Sequence, residues 1–495
     1  MNEKVSTKLK FRNQYILAPH SIDCPFLFNS LSLLGSSVLY THVDLKVTQY
    51  AKGELRLILL GDMFDYKKTG NDNKDILKAI SDENFSRFLK NINRYAGRFV
   101  IIYQNGDMLR LIHDTTAARK VYYSNWQDKL WFASQPHLLA GILGINRSKN
   151  RESLKFYESK DFVRLFNSNI GNFTIYDEIR QLLPNHFLDV NSFTVTRYWP
   201  NKKIEYQPIN EVAKKCAQMI EGFMESITNR YNVMLPVTAG KDSRILLAAT
   251  KRFTDKVFYY VNKGDSMNKE SPDITVPREL LSKLDLEFNI LNPNIEVDED
   301  FKKIYYQNNT LASSSFLPLI YNYYLNFENR VNLPGNIASA GFEVYKNRRM
   351  KITGKNLAKL NQLSQFGIAE NYYNKWILES QEVCRKHNVN MLNLFYWEER
   401  LANWGTQIQI EKDIAQEDIN PFNSRDLVGL FLSVHPKYIS IPFFKLHRRI
   451  IKILWPEVLQ IPINPGRRTT LLKLFKSIGI LDIYYRLKYS RLNNY

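Results

Sequence analysis

Cysteine is scarce in this sequence. Cys24, Cys216 and Cys384 lie far apart and form no Cys-x-x-Cys or Cys/His cluster. That spacing excludes a zinc ribbon and a disulfide framework, and it fits a reducing compartment. Long apolar runs are absent too. No stretch approaches the roughly 20 apolar residues of a membrane span. The N-terminal MNEKVSTKLKFRNQ is polar and charged, without the apolar segment of a secretory signal. A cytoplasmic protein without a transmembrane segment is the expectation. Acidic residues are in the minority: 49 Asp and Glu face 68 Lys and Arg, a formal charge of +19. The excess is Lys-rich and spread along the chain, with no Arg-rich tail. It predicts anionic partners but no specific nucleic-acid reader.

The chain does have ample material for a core. Apolar residues make up 44% and aromatic ones 13%, with 29 Tyr and 29 Phe, so disorder is not expected. At 495 residues the expectation is two domains. Residues 1–200 read as strands and turns around a helical insert at Asp75–Tyr95. Glu54–Leu60 and Arg98–Tyr103 are apolar strand candidates. Asn105-Gly106 then signals a hairpin into Met108–His113. Val121–Tyr123, Leu130–Ala133 and Phe187–Val190 add further strands, giving an α+β domain. In residues 205–495 the pattern changes. Ile209–Arg230 has helical spacing, with Val212, Cys216, Met219, Ile220 and Phe223 on one face. Strand candidates at Asn232–Val237, Lys256–Asn262 and Glu287–Leu291 alternate with helix candidates at Ser243–Arg252 and Ile274–Leu284. That alternation predicts a parallel α/β sheet of nucleotide-binding type. Beyond Asp300 the chain reads as helical and aromatic.

The sharpest local feature is Thr238-Ala-Gly-Lys-Asp-Ser243, set between a strand and an apolar helix. Small residues let the backbone close around an anion, and the new helix aims N–H groups and the positive end of its dipole at the same place. Thr238, Ala239, Gly240, Asp242, Ser243 and Arg244 are the expected ATP-binding set, with Lys241 or Arg244 supplying charge. Asp242 makes sense beside phosphates when Mg²⁺ bridges it to them. An ordinary capped strand-to-helix turn is the plain alternative. The pattern is not a Walker loop, which needs Gly-Lys-Ser/Thr after a longer glycine run.

The loop resembles the Ser-Gly-Gly-x-Asp-Ser turn of the ATP pyrophosphatases, and further landmarks resemble the asparagine synthetase family in order. In the first part these are Gly97-Arg-Phe-Val, Asp114-Thr-Thr-Ala-Ala-Arg-Lys-Val-Tyr-Tyr123 and Phe132-Ala-Ser-Gln-Pro-His137. Ile175-Tyr-Asp-Glu-Ile179, Leu183-Pro-Asn-His186 and Arg197-Tyr-Trp-Pro200 follow, then Asp273 and Pro421-Phe-Asn-Ser-Arg-Asp-Leu-Val428. The resemblance implies an N-terminal nucleophile hydrolase-like α+β sandwich, a degenerate glutamine amidotransferase-like domain. It implies next an adenine nucleotide alpha hydrolase-like, Rossmann-like α/β synthetase domain. ATP and Mg²⁺ are the implied cofactors. The implied activity is amide formation through an acyl-adenylate. Its substrates would be a small-molecule or glycan carboxylate, such as a uronic acid, and ammonia or an amine.

Departures from the family pattern are as informative. Relatives hydrolyse glutamine with a cysteine at position 2; here Asn2 stands there, and Cys24 is internal. Their oxyanion-stabilising Asn-Gly-Glu becomes Leu60-Gly61-Asp62, a loss that typically costs about 10²–10³ in rate. Asp72 is the one candidate remnant of the glutamine-binding segment. No glutaminase activity is expected. In the synthetase half an acidic loop becomes Pro334–Ala340, with Asn336 and Ser339 where relatives carry carboxylates. Loss of those charges weakens a Mg²⁺ site, and Glu343 is the candidate substitute. Arg467, with Arg468 beside it, is the candidate for stabilising pyrophosphate, together with Lys241 and Asp242 as catalytic residues and Asp242 as metal ligand. Asn336 and Arg400 are candidates for substrate binding, with Trp404 near Arg400. A non-catalytic descendant that binds nucleotide remains the alternative. Leu471–Tyr495 is basic and aromatic, so its helix either docks on the synthetase half or makes peripheral membrane contact. A homodimer stays open.

Overall fold

The computed structural model describes residues 7–24, 28–33, 35–264, 267–293, 295–341, 344–345, 350–440, 442–465, 471–472, 474–475, 477–480 and 483. Alternation along the strands of the first part sets its layering. In Tyr15–Ala18, Tyr15 and Leu17 face a core between two sheets, while Ile16 and Ala18 face helices outside. In Leu55–Phe64, Ile58 and Leu60 point inward and Leu55, Leu57 and Leu59 outward. An unbroken apolar run is therefore a strand buried on both faces.

One antiparallel sheet has six strands in the spatial order Arg180–Gln181, Tyr122–Trp126, Lys129–Ala133, Tyr15–Ala18, Val38–His42, Phe28–Ser32. The second, also six-stranded, runs Thr194–Arg197, His186–Asp189, Met108–His113, Ala96–Asn105, Leu55–Phe64, Val47–Lys52. The predicted hairpin at Asn105-Gly106 forms, with Asn105 paired to Met108. The helical insert is two helices rather than one. Asn73–Ile80 ends at an extended Ser81, and Asn84 caps Phe85–Ile92 by accepting from the Arg87 N–H.

Helix Ile209–Thr228 opens the second part, and its predicted apolar face is buried. At Gly222 it crosses so close to the first part that a Cβ there would lie 2.2 Å from the Tyr66 carbonyl oxygen. Four parallel strands follow in the order Asn289–Leu291, Val257–Asn262, Asn232–Pro236, Arg330–Asn332. Three of them match expected strands; the short fourth, Arg330–Asn332, lies in the stretch beyond Asp300 that reads as helical in sequence. Val233, Leu235 and Tyr259 face the Ile209–Thr228, Lys241–Ala249 and Lys445–Leu454 helices, and Met234 and Tyr260 face Phe301, Tyr305 and Tyr323. Helices on both faces explain why these strands lack polar alternation. The architecture is thus mixed α/β, two antiparallel sheets followed by one parallel sheet. Among the described residues no helix is long and apolar enough to cross a membrane. The terminal segment Leu471–Tyr495 lies largely outside the described residues.

Candidate functional site

Strand order locates the site. From the central strand Asn232–Pro236 the chain steps outward to Val257–Asn262 and Asn289–Leu291, then returns to add Arg330–Asn332 on the other side. In an open parallel sheet such a reversal leaves a crevice at the carboxyl ends of the strands, where ligands bind. The Thr238–Ser243 turn leaves one flanking strand and the Leu333–Ser339 segment leaves the other. They meet closely. A Cβ on Gly335 would sit 3.2 Å from Asp242 Cβ and 3.3 Å from the Ser243 nitrogen. Asn420 locks this approach by donating to the Pro334 carbonyl.

The turn is held by its own side chains. Ser243 Oγ accepts from the Thr238 N–H at 3.1 Å and contacts Thr238 Oγ1 at 3.1 Å, and Thr238 Oγ1 accepts from the Gly240 N–H at 3.2 Å. The Ala239 N–H donates to Asp273 Oδ1 at 2.9 Å, and the Asn464 N–H to the Ala239 carbonyl at 2.8 Å. Three loop amides are therefore committed to hydroxyl or carboxylate oxygens. What remains for an anion is the start of the Lys241–Ala249 helix, with its dipole.

Lys241 Nζ lies 2.9 Å from both carboxylate oxygens of Asp242 and 5.3 Å from the Phe444 ring centroid. Burial pushes the Asp242 carboxyl up from its ordinary range, and the Lys241 ammonium opposes that push. Across the crevice, Asn336 Nδ2 donates to the Gly405 carbonyl at 2.7 Å, while its buried Oδ1 has no partner among the described residues. Ser339 Oγ donates to the Asn336 carbonyl at 2.5 Å and accepts from Tyr396 OH at 3.0 Å. Burial raises the Tyr396 phenol. Ser339 and Arg400 oppose that, and the charge of Asp242 adds to it. Arg400 stacks on Trp404 at 4.9 Å.

Tyr396, Arg400 and Trp404 all ride on Tyr396–Gly405, ten residues of π-helix within a longer helical stretch. Such turns are rare and cluster at functional sites. Tyr396, Asn464 and Phe444 are not singled out by the sequence, since none of them carries a site role in a recognisable spacing; Gly335 lies within the expected Pro334–Ala340 loop.

Arg244 is engaged by backbone carbonyls. It is fully buried and donates to the carbonyls of Val458 at 3.1 Å, Ile461 at 2.8 Å and Pro462 at 3.1 Å. Helix geometry causes this, because Arg244 follows Ser243 onto the face that packs against the 456–463 segment. Arg467, Arg468 and Glu343 lie outside the described residues. The Pro421–Val428 segment serves mainly as a joint. Asn423 donates to the Gly97 carbonyl and to Asp114, and Arg425 to the carbonyls of His113 and Asp114.

Asp62, where the resemblance puts the oxyanion-stabilising segment, is surrounded by its own neighbours. Asp62, 2% exposed, accepts from Asn73 Nδ2 at 3.0 Å and from Tyr231 OH, with Lys46 at 3.3 Å and Arg230 at 3.6 Å. Asp72 is spent on a capping box with Asp75 at the head of Asn73–Ile80. Cys24 is half-buried on strand-proximal chain, and Asn2 lies outside the described residues.

No group of three His, Cys, Asp or Glu side chains able to hold a metal exists among the described residues. The turn's one carboxylate inside the crevice is already balanced by an ammonium. The donor set therefore does not fit a divalent cation held by the protein itself. No protein-family model matches this chain, and no curated protein matches it.

Proposed function

We propose that this chain is an ATP-dependent amide-forming ligase of the asparagine synthetase type, acting without a glutaminase of its own. The observation that carries the reading is the meeting of Thr238–Ser243 with Gly335–Ser339 at the reversal point of a parallel sheet. That is where an open α/β sheet binds a nucleotide. In this reading a carboxylate oxygen of the acceptor attacks the α-phosphorus of ATP, and pyrophosphate leaves with the bonding pair. Ammonia or a substrate amine then attacks the acyl carbon, AMP departs, and the nitrogen gives up a proton. The start of the Lys241–Ala249 helix and the Lys241 ammonium hold the phosphates; Asp242 orients Lys241. Arg400 and Asn336 face the acceptor. Since the site does not fit a resident Mg²⁺, no step is assigned to one.

A non-catalytic nucleotide-binding module is the second reading, and the Lys241–Asp242 pair favours it, since an internal cation occupies the acidic group. Pyrophosphate release separates the two. With ATP, ammonium and a panel of carboxylates, the ligase releases pyrophosphate, and Asp242→Ala reduces this by about 10²-fold. Glutamine in place of ammonium yields no glutamate. Measurable nucleotide affinity with no pyrophosphate from any carboxylate would leave only the second reading.

A further inference from the structure

Residues 471, 472, 474, 475 and 477 are helical, and the run has a defined stop. The Ile478 N–H donates to the Leu474 carbonyl at 3.1 Å, and the Ile480 N–H to the Phe475 carbonyl at 2.9 Å. Between them Gly479 turns to φ +76°, the left-handed cap that ends a helix without a Cβ penalty. Leu471, Leu474 and Ile478 share one face of such a helix, being three and seven residues apart. An amphipathic helix on a folded protein turns its apolar face toward the core. This one does not. Leu471 is 50% exposed, Leu474 52% and Ile478 57%, while Leu472 on the neighbouring flank is 6% exposed. Ile480 and Ile483 are open as well. Five of the fourteen large apolar side chains exposed among the described residues thus fall within 471–483, which makes this stretch the chain's densest apolar surface.

Charge decides what covers that face. From 467 to 491 the sequence carries seven Lys or Arg and a single acid, Asp482, and Lys473 and Lys476 interleave the exposed leucines. Two copies of so basic a segment repel each other. Five aliphatic side chains also fall short of the ~800 Å² per partner that a stable protein interface buries. A nucleic acid would take the charges and leave the aliphatic face bare. An anionic lipid surface satisfies both features: acyl chains take the leucines and isoleucines, and headgroups take the ammonium and guanidinium groups. We propose that 471–483 is an interfacial anchor, laying its apolar face into the headgroup layer of an anionic membrane and holding the protein there without crossing. None of the crevice residues takes part, so this contact is independent of the ligase chemistry.

The test is co-sedimentation of the full-length chain with two vesicle types, one of equal parts phosphatidylcholine and phosphatidylserine, the other of phosphatidylcholine alone. At about 0.1 M salt the anionic vesicles should bind the chain about tenfold or more tightly than the neutral ones. Leu474→Ser combined with Ile478→Ser should weaken that binding by about tenfold or more. Its thermal midpoint should stay unchanged, because both side chains already face water. Failure to bind anionic vesicles overturns the proposal, as does equal binding to neutral vesicles or by the double variant. A lowered midpoint in that variant also overturns it, since the face then serves the fold. So does a concentration-dependent dimer, in place of vesicle binding, that the same variant abolishes; it would mark a contact between two copies.

Discussion

Glu411 carries a pH dependence that can be worked out from its surroundings. It is 2% exposed and accepts from Tyr305 OH at 2.7 Å and Gln407 Nε2 at 2.8 Å. Burial wins over these hydrogen bonds and pushes the carboxyl up from 4.5 to about 7. The folded state thus holds the proton more tightly than the unfolded chain. The corresponding stability is fully present below the unfolded value and is lost as pH rises through about 7. Glu411→Gln mimics the protonated acid. It should match the parent near pH 4 and exceed it at pH 8.5 by up to ~3 kcal/mol, read by urea denaturation at both pH values. Equal stability at pH 8.5 would mean that the charge is better solvated than its burial implies. At the same scale, Lys241 shows how a neighbour redefines a motif residue. Asp242 reads in sequence as a metal ligand, yet its oxygens meet an ammonium one residue away.

The turn at Asp114–Arg119 is an element built around one carboxylate. Asp114 accepts from the N–H groups of Thr116 at 3.1 Å, Ala118 at 2.9 Å and Arg119 at 2.9 Å. Closing that turn forces Ala117 to φ +54°, the left-handed region that suits glycine. A left-handed Cβ costs about 1–2 kcal/mol, and glycine's extra unfolded-state freedom takes back about half. Ala117→Gly should therefore stabilise the protein by about 0.5–1 kcal/mol, seen as a higher midpoint in calorimetry. The π-helical segment is a second element with a local cause. Adjacent Glu398 and Glu399 serve different networks. Glu398 accepts from Arg197, Asn185 and Trp376, and Glu399 accepts from Tyr372. Wider turns let Tyr396 and Arg400 reach the crevice from the same stretch.

Across the whole molecule, the two parts share one core. Trp199 packs on Trp397 at 4.6 Å, and one cluster runs from Phe11 to Val428. Polar joints reinforce it. Arg98, 1% exposed, pairs with Asp413 through two hydrogen bonds of 2.5 and 2.8 Å, and Arg119 pairs with Glu417. The chain should therefore unfold in a single calorimetric transition. Asp413→Ala strands a buried guanidinium and should cost about 3–5 kcal/mol, splitting that transition or lowering it. An unchanged midpoint would show that water reaches Arg98. This shared interface buries one flank of the second part against the first.

The sequence alone determined the periodicities. These were two-sided apolar strands, a helix with one buried face, a parallel run of strand and helix, and a small-residue turn ahead of the Lys241–Ala249 helix. Local propensity and burial act over a few residues, so they leave a readable trace. Tertiary structure alone decided that Arg330–Asn332 joins the parallel sheet and creates the crevice, that Arg244 is spent on the carbonyls of Val458, Ile461 and Pro462, and that Asp62 is surrounded by Lys46, Arg230 and Tyr231. Each of those outcomes depends on groups many residues apart meeting at a few ångströms. No short-range pattern encodes such a meeting, because it is the packing of the whole core that brings the groups together.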